Sequence, residues 1–240
     1  MIGSMNIILG GTHGLGWELA TELRERGEET FVVGSSYRAE EHGDGMLVNL
    51  AQKSEAERLA GFISELGETT LQDFYWVAGK GYNGDFAEQP DVADMMYVNL
   101  THPMIVAQAA WKKIVSQDVA ANMVVVSSTT GVKIRDNETT YATTKGAQVS
   151  FARNLGKEAE RLITTGELHS AVKVTLFEPG GMKTPFWGKE GDRPAAYDEK
   201  FMDPPDVAAF MLEFLQGQET IFAEKMIEKP ELDTWLAERR

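Results

Sequence analysis

Residues 6–16 read Asn6-Ile7-Ile8-Leu9-Gly10-Gly11-Thr12-His13-Gly14-Leu15-Gly16. Three large aliphatic residues in a row suit a short buried strand, and the glycines that follow suit a tight turn. Leu15, Leu19 and Leu23 then recur every four residues, one face of a helix from Gly14 to Arg26. A strand that turns through glycines directly into a helix leaves the helix's first N–H groups open at the turn. Those groups and the helix dipole favour an anion, and glycine lets a pyrophosphate approach the backbone closely. A plain strand–helix connection uses the same residues, so the rest of the chain has to distinguish the two.

Outward from this unit the same alternation continues. Phe31-Val32-Val33 and Met46-Leu47-Val48 read as strands, and Leu59, Phe62, Ile63 and Leu66 mark a helix over about 52–66. Asp73 to Ala78 is rich in β formers, a long helix is expected over about 91–115, and Met123 to Val126 is a fifth strand. A second long helix covers about 140–162, and Val172 to Phe177 is a sixth strand. Strands alternating with helices imply right-handed crossovers and a parallel sheet covered on both faces. The segment from Thr184 to Pro205 has no period and carries Phe186, Trp187, Tyr197, Phe201 and Met202. Loops of roughly twenty residues are often functional, so this one is read as a substrate lid, with simple loop packing as the alternative. A helix over 206–215 and an edge strand over 221–227 complete the pattern. No repeat or linker interrupts it, so residues 1–240 are expected to form a single domain.

Composition narrows the function. With 23 Lys plus Arg against 37 Asp plus Glu, the net charge is −14. That field repels phosphate backbones and anionic lipid, which argues against nucleic-acid and membrane partners. There is no cysteine, so disulfides, thiolate metal sites and a cysteine nucleophile are excluded. His13, His42, His102 and His169 show no ligand spacing, and no metal is expected. Without a long apolar run or a basic–apolar leader, a cytoplasmic protein is the expectation.

Two further motifs bear chemistry. Tyr141-Ala142-Thr143-Thr144-Lys145 puts a phenol and an ammonium one helical turn apart on the same face. An ammonium beside a phenol lowers its pKa and makes it usable for proton transfer to or from an oxygen. Ser127-Ser128 ends the fifth strand, the edge where ligand sites of open α/β sheets lie.

Together these residues resemble the classical short-chain dehydrogenase/reductase family, over about residues 5 to 215. Gly10, Gly14 and Gly16 match its glycine spacing, and Asn99, Ser128, Tyr141 and Lys145 match its Asn-Ser-Tyr-Lys tetrad. Pro179-Gly180-Gly181-Met182-Lys183-Thr184 looks like its Pro-Gly turn. The resemblance implies a Rossmann-like, doubly wound parallel sheet and a carbonyl–alcohol oxidoreductase. Ser128 would bind the carbonyl oxygen and Tyr141 would exchange the proton. Lys145 would lower the tyrosine pKa and hold the nicotinamide ribose, and Asn99 would hold a water through its main chain. Cofactor contacts would come from Gly10, Thr12, His13, Gly14, Leu15, Gly16, Asn49, Leu50, Ala78, Gly79, Pro179, Gly180, Met182 and Thr184, besides Tyr141 and Lys145.

Some positions depart from the family. Trp76-Val77 stands where the common pattern has Asn-Asn, and the usual Gly-rich C-terminal strand ending is absent. After the second strand comes Gly34-Ser35-Ser36-Tyr37-Arg38, with no acid to bind a free ribose diol. Ser35, Ser36 and Arg38 could instead bind a 2′-phosphate, so NADP(H) is expected over NAD. The substrate is expected to be a small carbonyl or alcohol. The resemblance also implies a homodimer or homotetramer, with Ala107, Ala109, Ala110, Ala152 and Ala159 allowing helices of two copies to approach closely. Alternatives are an extended-type epimerase or dehydratase, disfavoured by the glycine spacing, and a non-catalytic dinucleotide sensor, disfavoured by the retained Tyr141.

Overall fold

The computed structural model describes residues 3–169, 171–184, 186 and 197–239. Seven parallel strands form one sheet in the order β3-β2-β1-β4-β5-β6-β7. They are β1 (Ser4–Leu9), β2 (Thr30–Gly34), β3 (Gly45–Leu47), β4 (Thr70–Trp76), β5 (Ala121–Val126), β6 (Val172–Pro179) and β7 (Phe222–Ile227). The helices are α1 (Gly14–Glu25), α2 (Ala39–His42), α3 (Lys53–Ser64), α4 (Val92–Met96), α5 (His102–Gln117), α6 (Thr139–Thr164), α7 (Tyr197–Lys200), α8 (Pro204–Gln216) and α9 (Lys229–Ala237).

The side-chain alternation of each strand builds two cores, one on each face of the sheet. Ile7, Leu9, Phe74, Trp76, Met123, Val125, Val174 and Leu176 pack on one side with Leu59 and Ile63 of α3, Val106 and Ile114 of α5, and Val149 and Leu155 of α6. Their strand neighbours Ile8, Tyr75, Val124, Val126 and Phe177 face the other side. There they meet Leu15, Leu19 and Leu23 of α1, Met211 and Leu215 of α8, and Leu232 of α9. The doubly covered sheet read from the sequence is therefore what forms.

Three expectations change. The long helix expected over 91–115 is two helices joined by a wider π turn at Tyr97–Thr101, where the His102 N–H bonds the Tyr97 carbonyl. Pro103 has no N–H to return to the carbonyl four residues back, that of Asn99, so a regular α-helix cannot run through this point. The alanines expected to meet a second copy face inward instead. Ala107, Ala110, Ala152 and Ala159 are fully buried and Ala109 nearly so, in this chain's own core. Their small size lets α5 and α6 lie close to the sheet, while Tyr97 and Met104 are large apolar residues left exposed here. The third is α9, a helix beyond the edge strand that completes the expected pattern.

Where the family pattern has Asn-Asn, apolar packing holds the end of β4. Trp76 is fully buried, with its ring 5.5 Å from that of Phe151 on α6. Part of the expected lid, with Pro185 and Trp187, lies outside the described residues. Of its remaining residues, Met202 is fully buried in the core beneath α8, and the Tyr197 and Phe201 rings lie tilted against each other with centroids 4.8 Å apart.

Candidate active site

The strand order reverses between β1 and β4, and the crevice at such a switch point is where α/β sheets bind ligands. Gly10 closes β1 with φ of +95°, and a Cβ there would lie 2.5 Å from the Ala78 main-chain nitrogen just past β4. A Cβ on Gly16 would lie 2.2 Å from the Gly10 carbonyl oxygen. Only glycine lets the loop, the first turn of α1 and the end of β4 converge this tightly. The first turn of α1 holds no acidic side chain, and its N-cap His13 makes no capping bond. The open N–H groups and the glycine cradle thus suit the pyrophosphate of a dinucleotide.

A cavity of about 1130 Å³ opens over this loop. Its wall includes Gly10, Thr12, His13, Gly14, Leu15, Ser35, Asn49, Leu50, Ala78, Gly79, Ser128, Tyr141, Lys145, Pro179, Gly180, Met182 and Thr184. Gly16 and Asn99 stand behind the wall. Ser36 and Arg38 are not in it. The Arg38 guanidinium is exposed and paired with Glu41 at 3.0 Å. Thr184 reaches across the cavity mouth to Gly14, where a Cβ would come within 2.9 Å of its methyl.

The tetrad residues are held from behind. Asn99 is fully buried. Its side chain accepts from the Lys80 N–H and donates to the Lys80 carbonyl, both at 2.7 Å, and donates to Thr144 Oγ1 at 3.1 Å. Its main-chain carbonyl, which the family resemblance would give to a water, accepts from Gln148 Nε2 at 2.8 Å. Lys145 donates to the Val126 carbonyl at 3.0 Å and to Gln148 Oε1 at 2.9 Å, with its ammonium 5.7 Å from the Tyr141 ring centre. Ser127 Oγ ties β5 to α6 through the Lys145 carbonyl at 2.8 Å. Ser128 Oγ accepts from the Thr130 N–H at 3.2 Å, and Thr130 in turn holds Glu138 at 2.8 Å.

Burial sets the electrostatics. It pushes the Tyr141 phenol well above its ordinary range; the Ser128 hydrogen bond opposes this and the Glu138 carboxylate adds to it. Burial also lowers Lys145 to about 7. The sequence reading expected the ammonium to pull the phenol down. Here Lys145 is itself discouraged from carrying charge, and two of its N–H bonds point elsewhere. Burial thus dominates at the phenol, which is protonated at neutral pH, as a free phenol is, and is the weaker acid of the two.

The profile of the family described as "short chain dehydrogenase" matches residues 5–195. The chain belongs to this family. Curated relatives are 3-oxoacyl-[acyl-carrier-protein] reductases: from Bos taurus, 24% identical over 86% of this chain and 90% of that one, and from Mus musculus, 24% identical over 74% and 75%. Among solved structures, the fold is similar to that of a serine dehydrogenase in closed form with NADP+. The TM-score is 0.78 at 18% identity, over 95% of each chain. It is also similar to a Burkholderia phymatum short-chain dehydrogenase/reductase with NAD, TM-score 0.76 at 18% identity over 92% and 88%. A Thermococcus sibiricus alcohol dehydrogenase with 5-hydroxy-NADP gives 0.75 at 17% identity over 94% and 96%.

Besides Phe186, which the sequence places in the lid, several residues of this short-chain dehydrogenase's cavity carry no motif. Phe186 lies with its ring 5.5 Å from that of Tyr141 and against Gly81, where a Cβ would come within 2.4 Å. Lys80, paired with Asp94, lines the wall, as do Lys229, Pro230 and Asp233 of α9. Glu228, just before α9, binds Lys133 at 2.8 Å and so fastens the C-terminal segment to the loop after β5. The Pro230 near the start of α9 and the apolar spacing of Leu232, Trp235 and Leu236 were the available signals.

Proposed function

We propose that this chain is an NADP(H)-dependent oxidoreductase that interconverts a small ketone or aldehyde with its alcohol. The observation that carries the reading is the convergence of Ser128, Tyr141 and Lys145 on one wall of a cavity whose other end is the glycine cradle. The cradle of Gly10, Gly14 and Gly16 would hold the pyrophosphate, and Asn49, Leu50, Ala78 and Gly79 the adenosine side. Pro179, Gly180, Met182 and Thr184 would hold the nicotinamide end. When bound, the cofactor supplies the hydride.

Ser128 donates a hydrogen bond to the substrate carbonyl oxygen and polarises it. Tyr141 donates its proton to that oxygen as the alkoxide forms, so the carbonyl gains one hydride and one proton. Lys145 offers its remaining N–H toward the ribose and steadies the phenolate left behind. Asn99 locks the loop after β4 and keeps Gly79 against the site. Phe186 and the start of α9 shape the substrate end and exclude water. In the reverse direction the same groups run in the opposite order.

For NADP(H), the supporting feature is Ser35 in the wall, where an acid would repel the 2′-phosphate. Arg38 can turn to that phosphate at small cost, because an exposed pair such as Arg38–Glu41 is worth about 1 kcal/mol or less. Solved relatives carry NADP+ or NAD, so the choice rests on this chain's own residues. A panel of ketones, aldehydes and quinones, followed by loss of NADPH absorbance, tests the reading. Turnover of at least one carbonyl supports it, and none with retained NADPH binding favours a sensor.

A further inference from the structure

Lys145 is 3% exposed, and among the described residues no carboxylate pairs with it. Of its three N–H bonds, one goes to the Val126 main chain and one to Gln148 Oε1. Gln148 is fully buried one turn further along α6. Its amide is oriented from the far end, because Nε2 donates to the Asn99 carbonyl. That carbonyl is open because Pro103, four residues on, has no N–H to give it. The π turn, the proline and the glutamine thus form one connected arrangement that ends on the lysine. The glutamine satisfies both partners at once: an oxygen for the ammonium and an N–H for the orphaned carbonyl. An apolar side chain of similar length would fill the same volume and satisfy neither.

We propose that Gln148 is a positioning residue that fixes the Lys145 amine with an uncharged amide, leaving the third N–H aimed into the cavity. The inference builds on the reading of Tyr141 and Lys145 as the proton-transfer pair. A neutral acceptor holds the ammonium without the Coulombic gain that a carboxylate would add, so burial is left unopposed and Lys145 titrates near neutrality. The other titratable and charged groups around it are Tyr141 on α6, Glu138 just before α6, and the Lys80–Asp94 pair across the cavity. None of these forms a hydrogen bond or ion pair with the Lys145 ammonium among the described residues.

The test uses Gln148→Glu and Gln148→Met in the full chain, with folding checked by thermal unfolding. Lysine labelled with ¹³C at Cε is titrated by NMR without cofactor or substrate, and the Lys145 signal is assigned by its loss in Lys145→Met. Gln148→Glu should move the Lys145 midpoint up by about one pH unit or more, and Gln148→Met should move it down. The kcat pH profile for a reducible carbonyl should shift its lysine limb in the same two directions, and cofactor affinity should fall in Gln148→Met. A merely structural role would lower kcat without moving either midpoint. An unchanged Lys145 midpoint in both variants would overturn the proposal. If no carbonyl is turned over by the wild type, the enzymatic reading fails, while the NMR titration still decides the role of Gln148.

Discussion

Glu178→Gln would remove a pH dependence that the fold itself builds. Glu178 sits on β6 one residue before Pro179, 1% exposed. Burial, together with the Glu224 carboxylate beside it, pushes its carboxyl from an ordinary 4.5 to about 7, with Arg153 opposing. A group whose pKa is raised on folding contributes stability that is complete below the unfolded value and is lost as pH rises through the folded value. At about 1.4 kcal/mol per pH unit, the shift makes ionised Glu178 cost about 3 kcal/mol, of which about 2.5 kcal/mol develops between pH 5 and pH 8. Asp73, raised by burial to about 6, and Lys145, lowered by burial to about 7, also titrate nearby, but they are present in both proteins and cancel in the difference. A glutamine amide without full partners costs about 1–3 kcal/mol at every pH, so the absolute stability of the variant is not the readout. Urea unfolding of both proteins at several values from pH 5 to pH 8 is the assay. The stability of Glu178→Gln relative to wild type should rise by about 2.5 kcal/mol across that range. Parallel curves would show that Glu178 is already ionised in the folded protein, and the reasoning would fail.

Gly16→Ala should weaken NADPH binding ~10- to 100-fold, because overpacking of about 1–3 kcal/mol separates the glycine loop from α1. Fluorescence titration reads this, and Gly61→Ala, with open space around it on α3, should bind normally and unfold slightly later. Ser35→Asp should convert an NADPH preference into an NADH preference, read from KM and Kd for both cofactors; equal affinities in the wild type would refute the assignment of Ser35. Sedimentation at micromolar concentration should give a mass above the 26.5 kDa of one chain, with Met104→Glu lowering it if the exposed side of α5 is the contact.

The parts of this fold legible in sequence were those set by short-range rules. The Ile7-Ile8-Leu9 run and its neighbours divide by simple alternation between two cores, and the close approach of Gly16 to Gly10 follows from residues within one turn of sequence. Tyr141 and Lys145 share a face because of helical spacing alone. Direction was less legible than periodicity. The alanines of α5 and α6 occupy the same stripe as Val106, Ile114 and Leu155, and that spacing already pointed them at the sheet rather than at a second copy. The π turn was written in Pro103, but its consequence, a free Asn99 carbonyl answered by Gln148, needs a contact across 49 residues. Gln148 interrupts the apolar stripe that continues through Val149 and Ala152, a signal that becomes readable only once its two partners are known. The effect of burial on Tyr141 and Lys145 was invisible, because the motif gives their spacing and not their exposure.

The most direct test of the central claim follows the transferred hydride itself. NADPH carrying deuterium at both positions of the reactive carbon is supplied with a ketone or aldehyde turned over in the panel, and the alcohol is analysed by mass spectrometry for wild type and Tyr141→Phe. The wild type should place one deuterium on the carbinol carbon. Tyr141→Phe, which keeps the ring and loses the proton donor, should form the same product at least ~10²-fold more slowly with NADPH affinity nearly intact. An alcohol without deuterium, or wild-type turnover in Tyr141→Phe, would contradict the account.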